Sequence, residues 1–363
     1  MTTPDAATER AIGAPLSIGP LRLETNVLLA PVANYCDLAF RIVVRSFGGV
    51  GLACTDLLSP HGVLRGNQQS MDLARTDPRD QPLCMQLYGR DEGILSEAAR
   101  WAVDQGAAAV DINMGCPVDK VAKKNGGSLL LRDPCATARL AERVATAVRE
   151  ASGGAVPTTA KVRLGWDDHS IVAPRLARDL ERAGIAMVTV HGRTTEQRFR
   201  GDVRLSGIAE VVAAVDAIPV LGNGDVTSPE SALAMMRATG CAGVMIGRGA
   251  FSRPWLLRDV WAAQLAERTG GPHRIPPEPT EGRKIDAIER YIELMREFRD
   301  DRYALAHIRR RISWFAKTLG PCKPLKARFN EASTLAEIHE ALATFRAGGL
   351  RRFPARAAAT TAA

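Results

Sequence analysis

Eight short, almost wholly apolar runs recur along the first 250 residues. They are NVLLAPV (26–32), VGLACTD (50–56), LCMQLYG (83–89), AAVDINMG (108–115), TAKVRLG (159–165), MVTVHGR (187–193), IPVLGNGD (218–225) and GVMIGRG (243–249). A strand with one wet face alternates apolar and polar residues, whereas an unbroken apolar run suits a parallel strand covered on both faces. Helix-like segments lie between the runs, among them EGILSEAARWAVDQGA, PCATARLAERVATAVREA and SPESALAMMRATG. Eight β units, each followed by a helix, over roughly 230 residues predict an α/β fold, a TIM (β/α)8 barrel, rather than an open doubly wound sheet. No early strand leads into G-x-G-x-x-G, so a dinucleotide-binding sheet has no support.

The polar groups gather at the C-terminal end of each run: Asp56, Gln86, Asn113 with Cys116, Lys161 with Arg163, His191 with Arg193, Asn223 with Asp225, and Arg248. In barrels that rim carries the active site. The turns Asn223-Gly224-Asp225 and Gly247-Arg248 follow the seventh and eighth strands, where barrels commonly bind phosphate, and glycine lets backbone N–H groups approach an anion. Two tight turns without a ligand are the other reading. Gln86, Asn113, Lys161 and His191 converge on the mouth, where amide, ammonium and imidazole together can hold a planar heterocycle rich in acceptors. A lysine snorkelling at the rim and a structural histidine remain open.

Cys116 follows the fourth run, precedes Pro117 and heads a cationic stretch with Lys120, Lys123 and Lys124. A thiol beside positive charge can exchange a proton near neutral pH; a turn cysteine is the alternative. The seven cysteines are odd in number and include no C-x-x-C pair, which argues against a disulfide framework or a metal site and for a reducing cytoplasm. Neither a membrane-length apolar run nor a secretory signal is evident, so a cytoplasmic protein without membrane attachment is expected.

The Pro/Gly-rich TGGPHRIPPEPTEG separates the barrel from a second region with helical spacing of Ile285, Ile288, Ile292 and Met295, then of Ile308, Ile312 and Phe315. The expected organisation is a flexible segment 1–18, a barrel 19–268, a linker 269–282, a helical domain 283–350 and a flexible tail 351–363. Of the net charge of +8, nearly all falls after residue 270, where 18 Lys/Arg face 11 Asp/Glu. That asymmetry suggests a polyanionic partner, and the spacing turns the run Arg309–Arg311 largely outward.

INMGCPVDKVAKKNGGSLLL, VTVHGRTTEQ, PVLGNGDV and GVMIGRGAFSRPW, in this order, resemble the hallmark segments of the tRNA-dihydrouridine synthases, in particular their bacterial B-like branch. NVLLAPVANYCDLAFR, MQLYG, KVRLGW and IRRRISWFAKTL fall in the family's order, and the likeness covers residues 20–348. It implies a barrel that carries FMN, is reduced by NADPH and converts uridines of tRNA to 5,6-dihydrouridine. Cys116 is then the proton donor to C5 while hydride reaches C6, and the base must leave its stack to get there. By the same likeness Pro31, Val32, Gln86, Lys161 and His191 bind the flavin ring, and Asn223, Gly224, Asp225, Gly247 and Arg248 its phosphate side. Asn113, Lys120, Lys123, Lys124, Arg193, Arg309, Arg310 and Arg311 would meet the tRNA. No obligate protein partner is implied. The loop EQRFRGDVRL departs from the family's usual tyrosine and Asp-Trp.

Overall fold

A computed structural model describes residues 11–117, 126–270 and 274–352. The chain divides into two compact units, residues 1–250 with 254–276, and residues 251–253 with 277–363. Lys120, Lys123 and Lys124 lie outside the described residues.

The first unit begins with an antiparallel hairpin of β1 (Leu16–Ile18) and β2 (Leu21–Leu23). Eight parallel strands follow: β3 (Val27–Leu29), β4 (Leu52–Cys54), β5 (Leu83–Leu87), β6 (Ala109–Met114), β7 (Thr158–Arg163), β8 (Met187–His191), β9 (Val220–Asn223) and β10 (Gly243–Ile246). They close into a barrel in the order β10-β3-β4-β5-β6-β7-β8-β9. Each strand coincides with one of the eight apolar runs.

Side chains alternate along each strand, and inside the barrel that alternation divides the lumen by height. Leu28, Leu52, Cys54, Cys84, Ala109, Met187, Leu221 and Met245 form one apolar cluster. Leu16, Ile18 and Leu23 of the hairpin belong to the same cluster. Gly19, at the hairpin's tip, lies close to Pro157 and Ala186, just before β7 and β8 begin. The hairpin therefore plugs the N-terminal end. Residues 16–18 had been expected in a flexible segment; Leu16 and Ile18 are instead buried, because an open barrel end would leave that cluster wet. The next residues of the same parity, toward the C-terminal ends, are Gln86, Asp111, Asn113, Lys161, His191 and Asn223.

Helix boundaries follow local chemistry. The helix Pro134–Ser152 starts with Asp133 accepting from the N–H of Ala136, has proline in its first turn and stops at Gly153 in the left-handed region (φ 59°). Arg41, on the helix after β3, is fully buried with Asp80, which precedes β5. Its Nε donates to Asp80 Oδ2 at 2.6 Å, and its remaining nitrogens donate to the carbonyls of Cys36 (2.6 Å) and Arg75 (3.1 Å). Arg45 donates to the other Asp80 oxygen at 2.8 Å. This ties the helix Leu38–Arg45 to the segment leading into β5.

The second unit contains the helices Glu281–Phe298, Asp301–Phe315, Lys323–Glu331 and Leu335–Arg346. Their apolar faces bring together Ile285, Ile288, Tyr291, Ile292, Ile308, Ile312, Phe315, Phe329 and Phe345, all buried. Arg310 is exposed and Arg309 half-buried, but Arg311 departs from the expected outward run. It is 4% exposed, with its guanidinium 5.2 Å from the ring centre of Tyr291. The reason is helical spacing: 308, 311, 312 and 315 share one face, so an arginine at 311 must lie with the isoleucines.

Asp80→Ala should lower unfolding stability by about 3–5 kcal/mol, because Arg41 would remain buried without its charge partner. Denaturant titration of the variant checks this; a loss below ~1 kcal/mol would refute it.

Candidate active site

The polar half of the lumen is built from the bottom up by one buried carboxylate. Asp111 is 2% exposed. Its Oδ1 accepts from Thr159 Oγ1 at 2.6 Å and its Oδ2 from Gln86 Nε2 at 2.7 Å. Gln86 Oε1 accepts from Asn113 Nδ2 at 2.8 Å. Asn113 Oδ1 accepts from the backbone N–H of Cys116 (3.0 Å) and of Gly115 (3.3 Å). The register places the first three groups side by side, since Gln86 pairs with Asp111, and Asp111 with Thr159. Burial raises the Asp111 carboxyl to about 6, opposed by the hydrogen bonds from Thr159 and Gln86 and by the charge of Lys161.

Opposite this chain, Lys161 Nζ donates to Asn223 Oδ1 at 2.7 Å, and Asn223 Nδ2 donates to the carbonyl of Met245 at 2.7 Å. Burial, then the neighbouring Arg163, lowers the Lys161 ammonium to about 8; Asp111 works the other way. His191 is 7% exposed, and burial together with Lys161, Arg163, Arg193 and Arg248 pushes its pKa far below the usual imidazole range, so the ring is neutral. Arg193 Nη1 lies 3.4 Å from His191 Nε2. A guanidinium can only donate, so that contact favours the tautomer whose Nε2 is an acceptor.

The rim above is cationic. Arg163 donates from Nε to the carbonyl of Gly115 at 2.7 Å and from Nη1 to the carbonyls of Thr194 and Arg198, both at 2.8 Å. It thereby pins the Cys116 turn from the side opposite Asn113. Arg193 was expected to meet substrate; it is 2% exposed and pairs with Asp225, while Gly201 and Arg200 carbonyls accept its other protons. Its length lets it reach back beneath the loop that follows β8, which it holds closed. Arg248 is 46% exposed and lies 3.4 Å from Asp225. Gly224 adopts φ 117°, and a Cβ there would come within 2.9 Å of the His191 ring and 2.7 Å of Val203. Only glycine fits that turn.

Cys116 is half-buried at this mouth, whereas Cys54, Cys84 and Cys241 are buried in the barrel. Pro31 and Val32 follow β3 and are half-buried, with the Val32 carbonyl accepting from Tyr35 and Cys36. Asp56 is committed to the backbone of Asn34 and Leu57. The structure thus gathers Gln86, Asn113, Cys116, Lys161, His191, Asn223, Asp225 and Arg248 at one end of one barrel. Asp111, Thr159 and Phe199 had not been expected there. The first was legible in principle, two residues before Asn113 and so of the same parity. Phe199 gave no periodic signal: it is 52% exposed, lies 6.4 Å from the His191 ring and sits under the guanidinium groups of Arg248 (4.7 Å) and Arg163 (5.5 Å).

Acceptor-rich heterocycles and anions fit this donor set: an ammonium, a neutral imidazole, an exposed guanidinium and a glycine turn too tight for any side chain. Among the described residues no group of His, Cys, Asp and Glu could hold a metal ion. The closed parallel barrel is a (β/α)8 fold, and its rim offers donors suited to an anionic aromatic ligand beside a thiol. The Dihydrouridine synthase (Dus) family model matches residues 28–347, and the chain belongs to that family. It is 36% identical to "Probable tRNA-dihydrouridine synthase 1" of Synechocystis sp., over 89% of this chain and 87% of that one. It is also 36% identical to "tRNA-dihydrouridine synthase B" of Xanthomonas axonopodis pv. citri, over 88% and 92%. Among solved structures, histamine dehydrogenase from Rhizobium sp. 4-9 superposes with a TM-score of 0.53 at 14% identity, over 79% of this chain and 51% of that one. A 2-naphthoyl-CoA reductase gives 0.53 at 15% identity, over 69% and 52%. The chain spans about half the length of these two, and the likeness shows the barrel alone.

Lys161 is charged below about 8 and neutral above it. An anionic flavin added to flavin-free protein should therefore bind less tightly as pH rises through 8, and Lys161→Met should bind weakly with no such dependence. Titration from pH 6.5 to 9.5 by flavin fluorescence checks this; an unchanged slope in the variant would remove Lys161 from the binding set.

Proposed function

We propose that this chain is an FMN-dependent tRNA-dihydrouridine synthase, acting in the cytoplasm and using NADPH as reductant. The observation that carries the reading is the placement of Cys116: its turn is held by Asn113 on one side and Arg163 on the other, above a donor set suited to a flavin. The relatives, tRNA-dihydrouridine synthases by name, support the reaction and the tRNA substrate. No described helix is long and apolar enough to cross a membrane.

Lys161, His191 and Gln86 would hold the ring of the flavin; Asn223, Gly224, Asp225, Gly247 and Arg248 would receive its phosphate side. When bound and reduced, the flavin supplies hydride to C6 of an extruded uracil. The work of this chain is at C5: the Cys116 thiol gives its proton there, and the sulfur keeps the electron pair as thiolate. Lys161 and Arg163 both lie within electrostatic reach of Cys116, and positive charge favours the thiolate that donation leaves behind. Solvent then restores the proton through the half-open mouth. Phe199 offers an exposed ring beside this position, on which a base can stack.

The helical unit supplies the hold on tRNA. Along the helix Asp301–Phe315 and the turn after it, Tyr303, His307, Arg310, Trp314 and Lys317 recur at steps of three or four residues. Tyr303 and His307 rings lie 3.9 Å apart, Arg310 reaches His307 at 3.2 Å, and Lys317 sits 3.7 Å over Trp314. Cations interleaved with aromatic groups suit a nucleic-acid backbone, and phosphate contacts position without reading sequence. Arg311, held inside the unit, has no part in this face.

Cys116→Ala should keep a flavin that NADPH reduces, yet form dihydrouridine at least about 100-fold more slowly. Stopped-flow flavin bleaching and nucleoside analysis of tRNA check the two halves separately; near wild-type product formation would overturn the proton-donor role. The double variant Arg310→Ala, Lys317→Ala should raise KM for tRNA with little change in kcat and shallow the salt dependence of log K by roughly 1.8. Unchanged tRNA affinity would move the binding face elsewhere.

A further inference from the structure

Four side chains lead from the middle of the barrel to the backbone of Cys116, and only one of them can ionise. Thr159, Gln86 and Asn113 are direction-neutral: each has donors and acceptors and can be turned over without loss of shape. An ionised carboxylate is acceptor-only. With Asp111 charged, Gln86 must aim its Nε2 downward, at 2.7 Å, and its Oε1 upward. Asn113 must then give Nδ2 to Gln86, at 2.8 Å, which leaves its Oδ1 for the N–H groups of Cys116 and Gly115. All members are buried, so a mismatched link cannot turn to water.

We propose that Asp111 is a positioning residue: its carboxylate sets the direction of the Gln86–Asn113 hydrogen-bond chain, and so decides whether the turn that carries Cys116 is locked to the barrel. The proposal rests on the reading of Cys116 as proton donor. It adds a group that touches neither flavin nor uracil.

The consequence is a lock that opens with acid. A protonated Asp111 can donate to Gln86 Oε1. Gln86 then turns over, Asn113 follows, and Nδ2 faces the N–H groups of Cys116 and Gly115, donor against donor. The groups that act on Asp111 are Gln86 on β5 and Thr159 and Lys161 on β7; the Cys84 thiol on β5 feels its charge and is itself hydrogen-bonded to the Cys54 thiol on β4. Lys161 holds the carboxyl down; burial raises it to about 6, which puts the change within reach of ordinary assays. A group whose pKa is raised in the folded state is protonated as pH falls through that value, so the locked form is the one above about 6.

Backbone hydrogen exchange reads the lock without any flavin chemistry. After correction for intrinsic rates, the Gly115 and Cys116 amides should be protected at pH 7.5 and lose roughly tenfold of that protection between pH 6.5 and 5. Folded Asp111→Leu should lack the protection at both ends of the range; wild-type protection in that variant would overturn the proposal. Should Asp111→Leu fail to fold, a swap decides. Asn113→Asp puts an acceptor-only group at each end of Gln86, which has one donor end, and should lower kcat about tenfold or more with flavin absorbance retained. The double variant Asp111→Asn, Asn113→Asp reverses Gln86 but still offers Cys116 an acceptor, and should recover at least fivefold. A double variant no better than the single one would sink the idea. If wild-type protein forms no dihydrouridine while the amide protection behaves as described, the functional reading fails and the lock stands.

Discussion

A closed parallel barrel gives its interior no edge and little water, and every polar group placed there must find its partner on a neighbouring strand. Strand register therefore settles what a lumen residue can bond to. Gln86, Asp111 and Thr159 meet because β5, β6 and β7 pair residue against residue in that order. Lys161 stands in register with Thr189 and Leu221, and its long side chain reaches across β8 to Asn223, two residues further along β9. The apolar lower half, sealed by the N-terminal hairpin, is what makes the upper half dry enough for such bonds to hold direction.

That dryness also decides the charge states at the mouth. His191, Lys161 and Arg163 are all shifted toward the neutral form, with burial the first cause in each case. The field is still strongly positive, since Arg193 and Arg248 share only Asp225 between them. An anionic ligand would relieve that crowding, while a cation would meet a single partly exposed carboxylate among these rim residues, Asp225, which Arg193 and Arg248 already share. Selectivity for anionic aromatic ligands follows from this arrangement before any single contact is considered.

The barrel was legible in the amino-acid sequence because its signal is repeated: eight apolar runs, seven of them with polar residues at the C-terminal end, leave few other topologies. The site was legible as far as it lay at strand ends. What escaped lies where local pattern carries no information. Arg193 and Arg248 look alike at the ends of the sixth and eighth runs, but one curls under its loop and the other reaches out, a difference made by Asp225 and by a carbonyl eight residues away. Arg311 shows the opposite failure, in which a cluster of charge outweighed a helical period that already placed it inside. The hairpin at residues 16–23 is too short for an alternation to register, and only the open barrel end explains it.

Strands can deliver amides and cations to a barrel mouth at fixed height, but the group proposed to give its proton to a ring carbon is not part of the wall. Cys116 stands two residues beyond the end of β6, on a turn, and a turn by itself is a loose support for chemistry that tolerates little misplacement. The two anchors compensate from opposite sides: Asn113 takes the N–H groups of the turn and Arg163 takes its carbonyl. Each anchor belongs to a strand and is itself held by partners, Gln86 for the one and the 194–198 loop for the other. The thiol thus gains the precision of the barrel while keeping the reach of a loop. That division of labour explains why the lumen contains a buried acid that no ligand at the mouth would touch.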